Sequence, residues 1–210
     1  RRVNVNIAAT TVENYRKLKE AGIGTYILFQ ETYHRKNYEI LHPHGPKHDY
    51  AYHTEAMDRA MQGIDDVGVG VLYGLNNYRY DFAGLLMHKE HLEAVFGVGP
   101  HTISVPRIRP ADDISVDAFP NSISDDLFKK IIAILRITVP YQDHHIDRES
   151  AKTRASVIEV GVSQISGASR TSVGGYAEEE EEDSAQFEVN DNRTLDEVIK
   201  LAPDGRVHPE

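Results

Sequence analysis

Five of the chain's eleven histidines, His34, His42, His44, His48 and His53, fall within one short segment interleaved with Tyr33, Tyr38, Tyr50 and Tyr52. Imidazoles and phenols at this density can ligate metal, move protons and stack on planar ligands. They follow an apolar stretch, residues 25–29 (TYILF), and the polar run Gln30, Glu31, Thr32, Tyr33 and His34. Parallel α/β folds place their active sites just past the C-terminal ends of buried strands, so this segment is a candidate site. Ser104, Arg107 and Arg109 close another apolar run, and two guanidiniums with a hydroxyl suit a substrate carboxylate. Arg109 is equally suited to holding a loop acid such as Asp112 or Asp113. Gly68, Gly70 and Gly74 lie within and at the end of a third apolar run, where they would let either a ligand or a packing helix approach the backbone. Their spacing is not the dinucleotide fingerprint, and no phosphate-cradling lysine follows. His48 and His53 are five apart, which fits neither a helical two-histidine pair nor a zinc set. A single histidine can serve as one ligand of an exposed metal, although any one of the five is more often a solvent-exposed loop residue.

These residues must be positioned by alternating strands and helices. The pattern predicts a strand over 2–8 and a helix over 11–21, capped by Thr10 or Thr11 and stopped by Gly22. A strand over 24–30 follows, then the histidine-rich loop, then a helix over 54–61 capped at Thr54. The strand at 66–73 leads to a helix ending near Phe96 and Gly97. The strand at 101–107 precedes a Pro- and Asp-rich loop and a helix over 125–138. A strand at 143–147, a helix at 150–160 and a strand at 162–166 complete the series. Beyond Gly174 and Gly175 come an acidic run at 178–183, a short segment at 187–189 and a helix at 195–201. Such alternation specifies a parallel sheet covered by helices. Six strands suit a complete flavodoxin-like sheet or six of the eight units of a (β/α) TIM-type barrel whose first two are missing. Polar residues after nearly every strand favour the partial barrel, spanning 1–176, with 177–210 as an acidic loop and the start of a C-terminal extension.

Composition narrows the function. At 210 residues and 40% apolar content the chain can bury a sizeable core. Its net charge is −10, and six of the acids form the run at 178–183; about −4 remains without them, with no basic stripe for nucleic acid. No apolar stretch approaches the roughly 18 residues of a membrane span, and no leader opens the chain, so the expected location is the cytoplasm. The absence of cysteine removes disulfides, thiolate nucleophiles and any cysteine-ligated cluster within this chain. The opening Arg1-Arg2-Val3, without an initiator methionine, reads as an excerpt.

Residues 4–8 (NVNIA), 30–34 (QETYH), 68–74 (GVGVLYG), 107–110 (RIRP), 148–150 (RES) and 174–176 (GGY), in this order, resemble the radical S-adenosylmethionine (SAM) tyrosine lyases. Two members compete: the 2-iminoacetate synthase of thiamine synthesis, and the maturase that makes CO and cyanide for the FeFe-hydrogenase H-cluster. The segment 45–53 (GPKHDYAYH) looks like the maturase, since the thiamine enzyme tends to carry glutamine where His48 stands. The resemblance implies cleavage of the tyrosine Cα–Cβ bond to p-cresol and dehydroglycine, with SAM and a 4Fe-4S cluster as cofactors and hydrogenase maturation proteins as partners. It further implies that Ser104, Arg107 and Arg109 bind the substrate, that Gly68, Gly70 and Gly74 admit SAM, and that Glu31 and Tyr33 face the barrel mouth as polar orienting groups. His48 would ligate the labile iron of an auxiliary cluster. The cysteines of both clusters lie, in this family, before and after the region resembled, so the excerpt alone is expected to be inactive. Two departures stand out: residues 146–150 read IDRES where the family has STRES, preceded by His144 and His145 in place of apolar residues, and residues 166–169 read SGAS for SAGS. A non-catalytic acid-binding domain that has shed its cluster is the alternative from a different functional class.

Overall fold

The computed structural model describes residues 3–109, 119–146 and 149–166, in two compact units. The first unit takes the described chain through Arg107, together with Asn121–Ile123; the second takes the other described residues.

In the first unit, α1 (Val12–Glu20) starts at Thr11, whose side chain accepts from the Asn14 amide, and ends before Gly22, which adopts a left-handed φ of +83°. It buries Tyr15 against Tyr26, ring centroids 4.7 Å apart, on β1 (Tyr26–Phe29). Parallel to β1 runs β2 (Val67–Gly70), in the register Leu28 to Val69, and parallel to β2 runs β3 (Thr102–Ser104), in the register Val69 to Ile103. Every residue of β2 and β3 is buried, as expected for strands covered on both faces. The 19-residue α5 (Tyr78–Phe96) links them, capped by Asn77 and closed by Gly97 in the left-handed conformation. The expected strand over 2–8 is reduced to a single parallel bridge, Val5 to Tyr26, with Val5 donating to Thr25 O and accepting from Ile27 N. Val3 and Ile7 stay exposed, so the apolar alternation there finds too little partner surface among the described residues to extend a ladder.

The histidine-rich segment is more ordered than the loop expected from its sequence. His34 caps α2 (Arg35–Leu41) by accepting the Asn37 amide at its Nδ1, and Asp49 caps α3 (Tyr50–Thr54) by accepting the Tyr52 amide. The helix expected to start at Thr54 begins later, as α4 (Ala56–Ala60). Thr54 instead ends α3: its hydroxyl donates back to the Tyr50 carbonyl at 2.8 Å, a bond that competes with the helical ladder and separates α3 from α4.

The second unit contains α6 (Asp125–Thr138), β4 (Asp143–Ile146), α7 (Ala151–Ile158) and β5 (Gln164–Ile165). Ser124 and Ser150 cap the two helices, and β4 and β5 pair in parallel. His144, in a position suited to an apolar residue, is fully buried and donates from Nε2 to the Val139 carbonyl at 3.0 Å, while burial lowers its pKa to about 4. A neutral imidazole, bonded through Nε2 and with a buried Nδ1 that has no hydrogen-bond partner among the described residues, therefore completes a strand that its sequence left ambiguous. Arg136 closes this unit from α6 by donating to the carbonyls of Gly161, Pro140 and Gln142, each at 2.9 Å. No helix among the described residues is long and apolar enough to cross a membrane. The expected features at 167–210, including the acidic run and the GGY at 174–176, lie outside the described residues, as do Asp112, Asp113 and Arg148.

Candidate active site at the strand ends

Backbone bonds lace the C-terminal ends of β1, β2 and β3 together. Gln30 N donates to Gly70 O (2.8 Å), Val71 N to Ser104 O (3.2 Å), Leu72 N to Glu31 O (2.9 Å) and Tyr73 N to Pro106 O (2.9 Å), and Tyr73 and Arg107 form a parallel bridge. Gln30, Gly74 and Arg107 thus converge at one edge, as the strand-then-polar pattern implies. Gln30 is buried and its amide donates to Thr54 at 2.8 Å.

Glu31 turns the chain here with φ +67°, the one positive φ of a non-glycine among the described residues. Such a backbone costs on the order of 1–2 kcal/mol, held in place by the surrounding bonds. Its carboxylate, largely buried, meets Lys47 Nζ at 2.6 Å. Beside it Asp81, fully buried in the first turn of α5, accepts from the Thr32 hydroxyl (2.8 Å) and the Tyr33 amide (2.9 Å). Burial raises the Asp81 pKa against the opposing pull of those two bonds. Sequence reasoning passed over Asp81; an acid within the first turn of a helix that follows a site strand was the available signal.

Tyr33 departs from the expected orientation. Its ring packs on α5 over Gly84, where a Cβ would come within 2.5 Å of Tyr33 Cγ, and its hydroxyl lies 2.9 Å from His88 Nδ1. Burial holds the phenol protonated well above its ordinary range and lowers His88 to about 4. With Tyr80, Met87, His88 and Asp58 it lines a cleft of about 460 Å³ between α4 and α5. Tyr33 is a helix-layer residue in this unit, not a group facing the mouth.

The histidines separate by role. His53 is buried and donates from Nε2 to the Phe29 carbonyl at 2.9 Å, and burial lowers its pKa. His42 stacks on Tyr38 at 4.3 Å and donates to its carbonyl, and His34 is the cap of α2. His48 is exposed, with Nδ1 2.8 Å from the Gly45 carbonyl. Because a carbonyl only accepts, Nδ1 carries the proton in this contact, and in the neutral ring Nε2 then presents its lone pair, the form in which imidazole binds metal. Among the described residues no three histidine or acidic side chains are grouped to hold a metal ion, so His48 would be a single ligand.

Of the remaining predicted residues, Ser104 is buried on β3, and Arg107, 5% exposed, donates from NH1 to the Ile123 carbonyl at 3.1 Å. In the second unit Arg109 NH1 lies 3.9 Å from both Asp125 Oδ1 and Glu149 Oε2, so acids of the protein stand beside it, while the expected loop acids Asp112 and Asp113 lie outside the described residues. Ile27 and Phe29 account for two glycines: a Cβ at Gly68 would lie 3.1 Å from Ile27 Cγ1, and one at Gly70 would lie 2.6 Å from Phe29 Cδ1 and 2.7 Å from the Ser104 carbonyl. Gly74 is needed for its φ of +114° at the strand end.

The family model of the Biotin and Thiamin Synthesis associated domain matches residues 104–204. A crystal structure of HydG, a maturase of the [FeFe]-hydrogenase, is 61% identical with a TM-score of 0.90, covering 96% of this chain and 44% of that one. The chain belongs to the HydG-like radical SAM family. HydG from Carboxydothermus hydrogenoformans is 41% identical with a TM-score of 0.84, covering 96% of this chain and 46% of that one. Among curated proteins, the 2-iminoacetate synthases of Salmonella typhimurium and Escherichia coli are 31% and 32% identical over 93% and 88% of the chain. The chain spans about half the length of these curated relatives, 52% and 49%. A methylornithine synthase structure, 17% identical with a TM-score of 0.66 over 98% of this chain and 59% of that one, shares the fold. The HydG-like fold is thus a partial radical SAM barrel of parallel strands and covering helices.

Proposed function

We propose that the protein carrying this chain is a cytoplasmic radical SAM tyrosine lyase that splits tyrosine into p-cresol and dehydroglycine, the latter leading to CO and cyanide for the FeFe-hydrogenase H-cluster with other maturation proteins. The observation that carries this reading is the 61% identity to the HydG maturase across nearly the whole chain. With no cysteine, the chain's own residues do not fit a cysteine-ligated cluster, and on this reading the cysteine ligands of the 4Fe-4S cluster and of the auxiliary cluster belong elsewhere in the protein. When bound, SAM and its cluster would supply the radical chemistry. This chain's task is positioning. Ser104 and Arg107, at the end of β3, hold the amino-acid carboxylate. Glu31, in its strained turn, accepts hydrogen bonds from ligand hydroxyl or ammonium groups at the strand ends, and Gly74 allows SAM close to the backbone. His48 offers Nε2 to one iron of the auxiliary site.

A second reading, a 2-iminoacetate synthase, is favoured by the curated relatives. Anaerobic reconstitution of the full-length protein with iron and sulfide, followed by assay of p-cresol and CO from tyrosine, tests both. Formation of both products is expected; p-cresol without CO would favour the synthase, and no p-cresol with SAM cleavage intact would overturn both readings.

A further inference from the structure

Lys47 is pinned at both ends. Its ammonium meets the largely buried Glu31 carboxylate at 2.6 Å, and its carbonyl accepts the Tyr38 hydroxyl at 2.7 Å. Tyr38 cannot move: its ring is fully buried, stacked on His42, with Tyr50 and His53 at 5.2 and 5.5 Å. The next residue, His48, closes a turn on Gly45, whose φ of +84° suits glycine; the Gly45 carbonyl accepts both the His48 amide (3.1 Å) and His48 Nδ1 (2.8 Å). Among the described residues the turn therefore has one side-chain tether to the segment that follows β1, the pair of Lys47 with Glu31.

We propose that Lys47 is a positioning residue which, through its ion pair with Glu31, fixes the turn at 45–48 so that His48 stays in the Nδ1–H tautomer with Nε2 open to a metal ion. Neutral imidazole in water favours the opposite tautomer, Nε2–H, so the Gly45 carbonyl must hold its place to reverse the preference. The ion pair is shielded on the Glu31 side, which makes it stronger than an exposed pair and gives the tether direction. Because Glu31 also stands among the strand-end groups, a ligand that draws its carboxylate away loosens the same turn, coupling the two positions. The functional meaning of this device rests on the reading of His48 as an iron ligand; the positioning itself does not.

The test is long-range 1H–15N correlation of the imidazoles in the full chain labelled with 15N-histidine. Wild type should show His48 with a protonated Nδ1 and an unprotonated Nε2. K47M should raise the Nε2–H population several-fold, while K47R, which keeps the charge, should restore the wild-type pattern. The other histidines, His53 above all, should be unmoved in each variant, which separates loss of the tether from general unfolding. A wild-type His48 already in the Nε2–H form, or a K47M spectrum unchanged at His48, would overturn the proposal. Addition of Co2+ addresses the metal reading separately: broadening at His48 is expected to need several-fold more Co2+ in K47M. Absence of broadening in wild type would overturn the iron-ligand reading and leave the tautomer result to decide on Lys47.

Discussion

Arg107 stands at the strand ends and His48 in the turn tethered to them by Lys47, and on the proposed function they act at different steps. On the proposed function the buried Arg107 guanidinium would hold the substrate carboxylate, and losing one charge-assisted contact costs on the order of 2–3 kcal/mol, or roughly a hundredfold. Arg107→Ala in the full-length protein should therefore depress p-cresol, CO and cyanide together. On the same proposal the exposed His48 imidazole would act on what is assembled on metal, so His48→Ala should leave p-cresol largely intact while depressing CO and cyanide. Quantifying p-cresol by chromatography and CO by haemoglobin capture checks both, and equal loss of p-cresol in the two variants would move His48 into the substrate pocket. Residue type and position after a strand were enough to single out the run at 30–34, the histidine cluster and Arg107, whereas the particular roles of Glu31 and His48 came from the family resemblance. Direction was not legible: Tyr33 lies one peptide from Thr32 and two from Glu31, yet its ring points into the helix layer because Asp81 grips the Tyr33 amide and Gly84 leaves room for the ring. That information sits 48 residues away in sequence.

Gly84 is where the packing of two elements depends on a single missing methyl group. Alanine ordinarily favours a helix interior by up to about 1 kcal/mol over glycine. Here the added Cβ would fall 2.5 Å from Cγ and 2.6 Å from Cβ of a buried tyrosine, and the ring cannot retreat without giving up the contact between its hydroxyl and His88. Gly84→Ala should thus destabilise the fold, by about 1–3 kcal/mol net, read as a lower urea midpoint with an unchanged slope. A midpoint at or above wild type would mean that Tyr33 repacks freely. The same contrast shows what could be read of the elements. The strands within 24–30, 66–73 and 101–107 and the helices capped by Thr11, Ser124 and Ser150 carry local signals, an apolar run or a capping side chain, and all form. Helices α2 and α3 were missed because they are short and held by their caps, His34 and Asp49, and by the burial of Tyr38 and His53, which no periodicity reveals. Gly68 and Gly70 show the reverse case: a pattern that suits a ligand is also what Ile27 and Phe29 need from the neighbouring strand.

Across the whole molecule, neutral buried imidazoles set the response to acid. His88 in the first unit and His144 in the second are each lowered to about 4 by burial, whereas an unfolded histidine titrates near 6.5. Between these values the unfolded chain binds protons that the folded chain refuses, so stability rises with pH across that window. Their contribution is complete above about pH 6.5 and is lost as pH falls toward 4, amounting to on the order of 2–3 kcal/mol for each site. His53, also lowered by burial, acts in the same sense. Asp81, raised by burial, acts in the opposite one, since the folded state takes up its proton at higher pH than the unfolded chain does. The histidines outnumber it, so the melting temperature should fall steadily from pH 7 to pH 4.5. His144→Gln retains a donor for the Val139 carbonyl but cannot titrate, so it should flatten the profile, while a surface control such as His44→Gln should not. Calorimetric melts at half-unit pH steps on the three proteins check this. A flat wild-type profile, or a His144→Gln profile as steep as wild type, would mean that the acid sensitivity lies elsewhere than in the buried imidazoles.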